Sequence, residues 1–423
     1  MNNLNKADEP TRRAFMEHSA KSLLGVSFSS LAFPRLSLAA PSPSALSVIY
    51  LYMRGGMTHI DSFDPKPDSE IQGPIEVIKS NVDGIRVGQH LPNIAKHMDK
   101  FAVINSMNSN QGAHEQGMYF THTSYRMRGT IRHPSLSSWV LRLGGRLNLT
   151  LPGSYVIGGM SKHPSSGFMG AEFAPVPIGD PEAGLQNSKM QKGVTEAKFN
   201  ERFKLSQALD KKFKYRYFIK EIRDYNALYE DAVKLMKSED LEAFDISKET
   251  EATRESYGDS AFGQGCLLAR RLVERKARFV EVTLNGWDTH ADNFERIPDL
   301  MGPLDTALSA LMSDLAGKGL LKRTLVVLAT EFGRTPKIND REGRDHYPKA
   351  YSQLIAGGGI KGGQIYGKTD PRGGEVVDNK VGVTDFNATI AYALGMDREK
   401  EIFSDTGRPF KIAARGKPII ELF

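Results

Sequence analysis

Short apolar runs, mostly β-branched or aromatic, recur along the chain at 46–53, 101–104, 155–157, 279–284, 325–329 and 353–356. Most are nearly unbroken in apolar residues, the pattern of strands covered on both faces. Helical periodicities lie between some of them. Leu300, Leu304, Leu308, Leu311 and Leu315 recur at spacings of three and four ahead of the run at 325. Asp385 stands where an N-cap would open a helix over 386–394, closed by Gly395. This alternation predicts an α/β fold with a mainly parallel, doubly wound sheet of at least six strands, in one domain over 41–423.

Two segments break the pattern. Residues 195–250 are densely charged, with Phe199, Phe203, Leu209, Phe213, Tyr217, Tyr225, Leu228 and Leu235 at roughly helical spacing. They read as a helical insertion, a hairpin or cap beside the sheet, or as a peripheral bundle without a role in a site. The N-terminus instead reads as an address. Arg12 and Arg13 precede a mild apolar run over 23–38, then small residues at Ala39 and Ala40 and a Pro/Ser-rich stretch. That order matches a signal peptide over 1–40, and the paired arginines match the twin-arginine type. It predicts a periplasmic or secreted protein cleaved near Ala39 or Ala40. The alternative is a basic tail before an ordinary helix. No later segment is long and apolar enough for a stable membrane span.

Composition narrows the partners. The formal charge is +6 over 423 residues, too mild for a nucleic-acid partner but compatible with an anionic one. Five basic residues against three acidic ones in the first 40 supply part of that excess. The single cysteine, Cys266, lies in an apolar helix-like run, which excludes a disulfide framework and a cysteine zinc site and predicts burial.

In an open parallel sheet, ligands bind beyond the carboxyl ends of the strands. Polar residues gather after several of the predicted strands. His59 and Asp61 follow the first, and His114 comes after Asn105 and Asn108 beyond the second. His163 follows the third, and Asp288 and His290 the fourth. Glu331 and Arg334 follow the fifth, with Arg344 and His346 further on. Imidazole and carboxylate suit zinc, manganese or iron, and carboxylate-rich sites lean towards manganese, magnesium or calcium. Each histidine alone reads as a hydrogen-bonded loop residue; their joint placement predicts a divalent-metal site. Asp288 and His290 are two apart, so an extended segment would turn both towards one ion, with Trp287 as a wall. The other reading makes Asp288 a cap for the next helix.

The stretches GGMTHIDSFDPKPD (55–68), NGWDTHADNF (285–294), TEFGRTPKIN (330–339) and GRDHYP (343–348) are similar to an exported family called domain of unknown function 1501. The resemblance covers roughly 45–420. It implies an alkaline phosphatase-like fold of the superfamily that includes sulfatases, and no settled activity. Asp288, His290 and His346 look like the ligands of one superfamily metal site. Val383–Thr389 resembles the late helix start of sulfatases, with Ala388 in place of proline. Elsewhere the chain departs from the pattern. Where sulfatases carry Ser-Asp-His-Gly, it reads Thr330-Glu331-Phe332-Gly333: Glu331 can still be a ligand, but Phe332 cannot. His114 stands near the nucleophile position, and Arg54-Gly55-Gly56 ends the first strand where a metal-binding aspartate is usual.

These readings imply a metal-dependent, hydrolase-like protein acting on an anionic phosphate or sulfate ester, either a small molecule or a glycan. His114 is the candidate nucleophile or general base, and Asp61, Asp288, His290, Glu331 and His346 are the candidate ligands. His59, Arg334 and Arg344 are candidate substrate contacts, because guanidinium geometry matches phosphate and sulfate oxygens. Ion pairs with Glu342 or Asp345 would account for the two arginines equally well. The alternatives are a non-catalytic metal- or polyanion-binding protein on a degenerate scaffold, and a purely structural surface component.

Overall fold

The structure is a computed structural model that describes residues 44–423 apart from 68, 187, 189–192 and 217–231. Residues 1–43 fall outside it, so the expected leader and cleavage site lie outside the described residues. Each expected strand is present: β1 (Ser47–Arg54), β2 (Phe101–Asn108), β3 (Ser154–Ile157), β5 (Phe279–Asn285), β6 (Thr324–Ala329) and β7 (Tyr351–Ala356). Three short ones join them: β4 (Val176–Ile178), β8 (Gln364–Tyr366) and β9 (Val381–Gly382). Among the described residues they form one nine-stranded sheet in the order β8-β2-β7-β6-β1-β5-β3-β4, with β9 also on β2. Only β7 runs against the others. The short strands carry too few residues, and in β4 a proline, for an apolar run to mark them.

β2 extends four residues past its apolar run. Asn105 and Ser106 are buried there, which their hydrogen bonds make tolerable: Ser352 donates to Asn105 Oδ1 at 2.7 Å, and Asn105 donates to the Phe63 carbonyl at 3.3 Å.

Both faces of the sheet are covered, as unbroken apolar strands require. Ile49, Leu51 and Met53 of β1 face a core shared with Leu268 of α5 (Ala261–Glu274) and Leu308 of α6 (Asn293–Gly317). Val48, Tyr50 and Tyr52 face the other core. There they meet Met118 of α1 (His114–Thr123), Trp139 of α2 (Leu136–Gly144) and Phe386 of α7 (Val383–Ala393). Cys266 is fully buried in the first of these cores. Residues Ser42–Phe423 form one compact unit.

The charged segment contains α3 (Glu196–Arg216). Part of the expected second arm falls at 217–231, outside the described residues. Beyond it the chain forms 3-10 turns at Glu239–Phe244 and Ile246–Lys248, whose Phe244 and Ile246 enter the core, before the short α4 (Glu251–Tyr257).

α7 begins at Val383, earlier than the cap reading of Asp385 allowed. Asp385 sits in the first turn and reaches back, its Oδ2 accepting the Gly382 N–H at 3.1 Å. A carboxylate there satisfies an orphan amide and suits the positive end of the helix.

Candidate metal centre

Register brings the strand ends together. Arg54 of β1 stands opposite Asn285 of β5, and Tyr52 stands opposite both Thr283 and Ala329. The chain therefore leaves β1, β5 and β6 along one edge, as does β2, which is parallel to them through β7. His346 returns to this edge because residues Gly333–Arg334 pair antiparallel with His346–Tyr347. At the end of β1, Gly55 has φ +123°, and a Cβ there would lie 2.6 Å from the Asp288 backbone nitrogen. Only glycine lets the segment carrying Asp288 pass so close.

Four side chains converge. Asp288 Oδ1 lies 3.2 Å from both His290 Nε2 and His346 Nε2, and Asp288 Oδ2 lies 3.3 Å from His114 Nε2. Donor atoms of His114, Asp288 and His346 all lie within 4.8 Å of one another. His290 joins them through His346, their Nε2 atoms being 3.0 Å apart. The second nitrogen of each ring is committed. His346 Nδ1 donates to the Gly112 carbonyl at 2.8 Å, His290 Nδ1 meets Asp345 Oδ1 at 2.6 Å, and His114 Nδ1 meets Glu331 Oε1 at 2.9 Å. An acceptor on each Nδ1 fixes the proton there and leaves a lone pair on Nε2. Three imidazole lone pairs and a carboxylate then share one small volume, which is repulsive unless a cation or protons lie between them. Imidazoles oriented by a carboxylate or carbonyl are the usual surroundings of a transition-metal ion. The residues therefore fit a divalent metal ion.

The electrostatics agree. Partial burial works against the Asp288 carboxylate, but the Arg334 guanidinium, 2.6 Å away, and the nearby His114 hold its carboxyl below the ordinary range. The Glu331 hydrogen bond, against some burial, raises His114 above the usual imidazole value, whereas burial lowers His346. The cluster is open to water: His114 is 38% exposed and Asp288 47%.

The other predicted residues have different places. Glu331 is 1% exposed and stands behind His114, also accepting from Tyr52 Oη and the Gly55 N–H, both at 2.9 Å. Asp61 and Arg344 are not brought to the cluster. They form a fully buried two-pronged pair, with Nε to Oδ2 and Nη2 to Oδ1 both at 2.9 Å, and Asn293 also donates to Asp61 Oδ2. Arg334 is fully buried, giving its donors to the carbonyls of Gly55, Gly56 and Arg344 and to Asp288. Neither guanidinium is free for a substrate anion, and their partners are Asp288 and Asp61 rather than Glu342 or Asp345. His59 is buried with Nε2 on the Gly373 carbonyl at 2.8 Å. Trp287 is buried in the core and does not wall the cleft. Asp288 does not cap α6, whose N-cap is Asp292.

Sequence reasoning missed Asp345 and Gly112 as the partners that orient His290 and His346. For Asp345 the available signal was its position beside His346.

The protein family described as protein of unknown function (DUF1501) matches residues 45–423. The chain belongs to this family. No curated protein matches it. Among solved structures, this DUF1501 member is similar to the PsFucS1 sulfatase from Pseudoalteromonas sp. at 11% identity and TM-score 0.39, over 93% of this chain and 73% of that one. It is similar to the lipoteichoic acid synthase LtaP from Listeria monocytogenes at 10% identity and TM-score 0.36, over 90% and 79% of the two chains. A TAB5 alkaline phosphatase mutant with magnesium bound matches at 10% identity and TM-score 0.38, over 84% and 99%.

Proposed function

We propose that this protein is an exported, metal-dependent hydrolase acting on a phosphate or sulfate ester. The observation that carries this is the set of three imidazoles, each pinned through Nδ1, whose Nε2 atoms meet on the Asp288 carboxylate in a solvent-open cleft. When bound there, a divalent ion supplies Lewis-acid polarisation of an ester oxygen and activation of water. Three imidazoles favour zinc over calcium, which prefers an all-oxygen shell.

The chain's own groups divide the remaining work. Among the described residues, no serine, threonine or cysteine side chain hydrogen-bonds to His114, Asp288, His290 or His346. The reading is therefore direct attack by water rather than transfer to a hydroxyl nucleophile. Glu331 orients His114 through Nδ1, so that its Nε2 is presented to the ion. Arg334 acts from behind by fixing Asp288. Positive charge for a substrate anion then comes from the ion. With residues 1–40 read as a leader, this chemistry belongs in the periplasm or outside the cell, on a small anionic ester or a glycan ester.

The test is turnover of p-nitrophenyl phosphate and p-nitrophenyl sulfate by protein loaded with zinc or manganese. Hydrolysis of one ester, reduced at least ~100-fold by Asp288→Asn, is expected. The second reading, a metal- or polyanion-binding protein, is favoured by the missing hydroxyl nucleophile and by His114 sitting among the ligands. Stoichiometric metal uptake with no turnover of either ester would select it.

A further inference from the structure

A second cluster of imidazole and carboxylate lies inside the molecule, apart from the cleft. Glu281 is the one acid in the apolar strand β5, and it is buried. His122 lies near the end of α1, and His163 in the loop that follows β3. Donor atoms of the three lie within 4.8 Å of one another.

His122 Nδ1 donates to the Met118 carbonyl at 2.8 Å, which leaves Nε2 as a lone pair facing Glu281 Oε1 at 3.1 Å. Two acceptors at that distance require a proton or a cation between them. His163 Nε2 stands 3.5 Å from the other oxygen, Glu281 Oε2. These separations bracket the ~3.3 Å expected of two donors each ~2.0–2.1 Å from a tetrahedral ion. Beside them is a void of about 10 Å³, room for one water, lined by Tyr50 and Thr121 among others. Tyr50 Oη and Thr121 Oγ1 are buried there without a hydrogen-bond partner.

We infer that His122, His163 and Glu281 form a second, enclosed zinc site, with the fourth position taken by Tyr50 Oη, Thr121 Oγ1 or one water. Zinc replaces the proton between His122 and Glu281. The backbone carbonyl on His122 Nδ1 is the outer partner a zinc-bound imidazole ordinarily has. His163 has to adjust: its Nδ1 now accepts the Ser165 N–H at 3.0 Å. Binding zinc at Nε2 moves the ring proton to Nδ1, so the turn between His163 and Ser165 opens. Losing one local hydrogen bond is small beside three metal–ligand bonds. Because the site is enclosed, zinc enters during folding and resists chelators, as structural zinc does.

The experiment uses the full chain carrying Asp288→Ala and His346→Ala, which removes the cleft site. It is refolded with zinc chloride, passed over a chelating resin and analysed for metal. About one equivalent of zinc per chain is expected, with an X-ray absorption shell of nitrogen and oxygen at ~2.0–2.1 Å. Adding Glu281→Gln should remove it. Cobalt in place of zinc, in the protein with Glu281 intact, should give the intense visible bands of a tetrahedral ion, a readout independent of how that variant folds. A cleft-deficient chain that folds and holds no zinc overturns the inference, as does a cobalt spectrum of six-coordinate type. Neither result depends on hydrolysis, so the inference stands or falls apart from the proposed function.

Discussion

The cleft cluster and the enclosed cluster are built from the same residue types, yet their surroundings differ. Both place imidazoles around a carboxylate. In the cleft, Asp288 is 47% exposed and its histidines are 24–38% exposed. In the interior, His122 and Glu281 are 4% and 5% exposed. An open position can admit a substrate, whereas a closed one can only hold. The two meet at Tyr52, whose hydroxyl donates to Glu331 behind His114 and whose ring packs edge-on against His122, with centroids 4.6 Å apart.

The largest expected difference between the two clusters is in stability. In metal-free protein, Glu281→Ala removes the buried carboxylate that pairs with His122 and should cost about 3–5 kcal/mol, read by urea unfolding. A cost near that of a surface substitution would erase the distinction between the clusters.

The pH responses of the two clusters should differ in sign. In metal-stripped protein, Glu281 is held below the ordinary carboxylate range against its burial, and His122 is raised against its burial, each by the other's charge. The depressed carboxyl stabilises the fold above its unfolded value, and this is lost as pH falls. The raised imidazole stabilises below its unfolded value, and this is lost as pH rises. The pair therefore contributes most between about pH 4.3 and 6.5. The cleft moves the other way when it takes up metal. His114 is raised mainly by Glu331, so protons compete with the ion, and zinc affinity there should climb by up to about tenfold per pH unit for each proton displaced. Calorimetric titration of zinc between pH 6 and 8 checks the slope.

Tyr52→Phe should be milder, about 1 kcal/mol, because Glu331 keeps the Gly55 N–H and His114. It sharpens the comparison if it weakens zinc binding in both clusters. His290→Ala should change stability least, by less than about 1 kcal/mol in the metal-free protein, since its ring is a third exposed. Thermal unfolding and metal content separate that small effect from loss of the ion.

These two regions also mark how far the sequence could be read. The strands at 46–53, 279–284 and 325–329 were legible because apolar runs buried on both faces have no other use. Asp288, His290 and His346 were legible because they follow such strands, and strand ends share an edge. Arg344 and Asp61 were not: a loop side chain can turn out to substrate or inward to a partner, and the partner lies 283 residues away in the chain. The enclosed site left three signals: His163 after a predicted strand, a lone glutamate in FVEVTL and a histidine late in a helix. Nothing local says that α1 lays one against the other. The end of β2 moved for a similar reason, since polar residues continue a strand where distant groups satisfy them, whereas the start of α7 moved because Asp385 satisfies the Gly382 amide from inside the first turn.

Gly55 carries a consequence for heredity. Any other residue there would press its first side-chain carbon against the backbone that leads into Asp288. Every amino-acid change that a single nucleotide can make to a glycine codon adds that carbon. A lineage that keeps the geometry of the cleft therefore cannot explore this position one step at a time. It must either hold the glycine or first rebuild the loop that carries the aspartate.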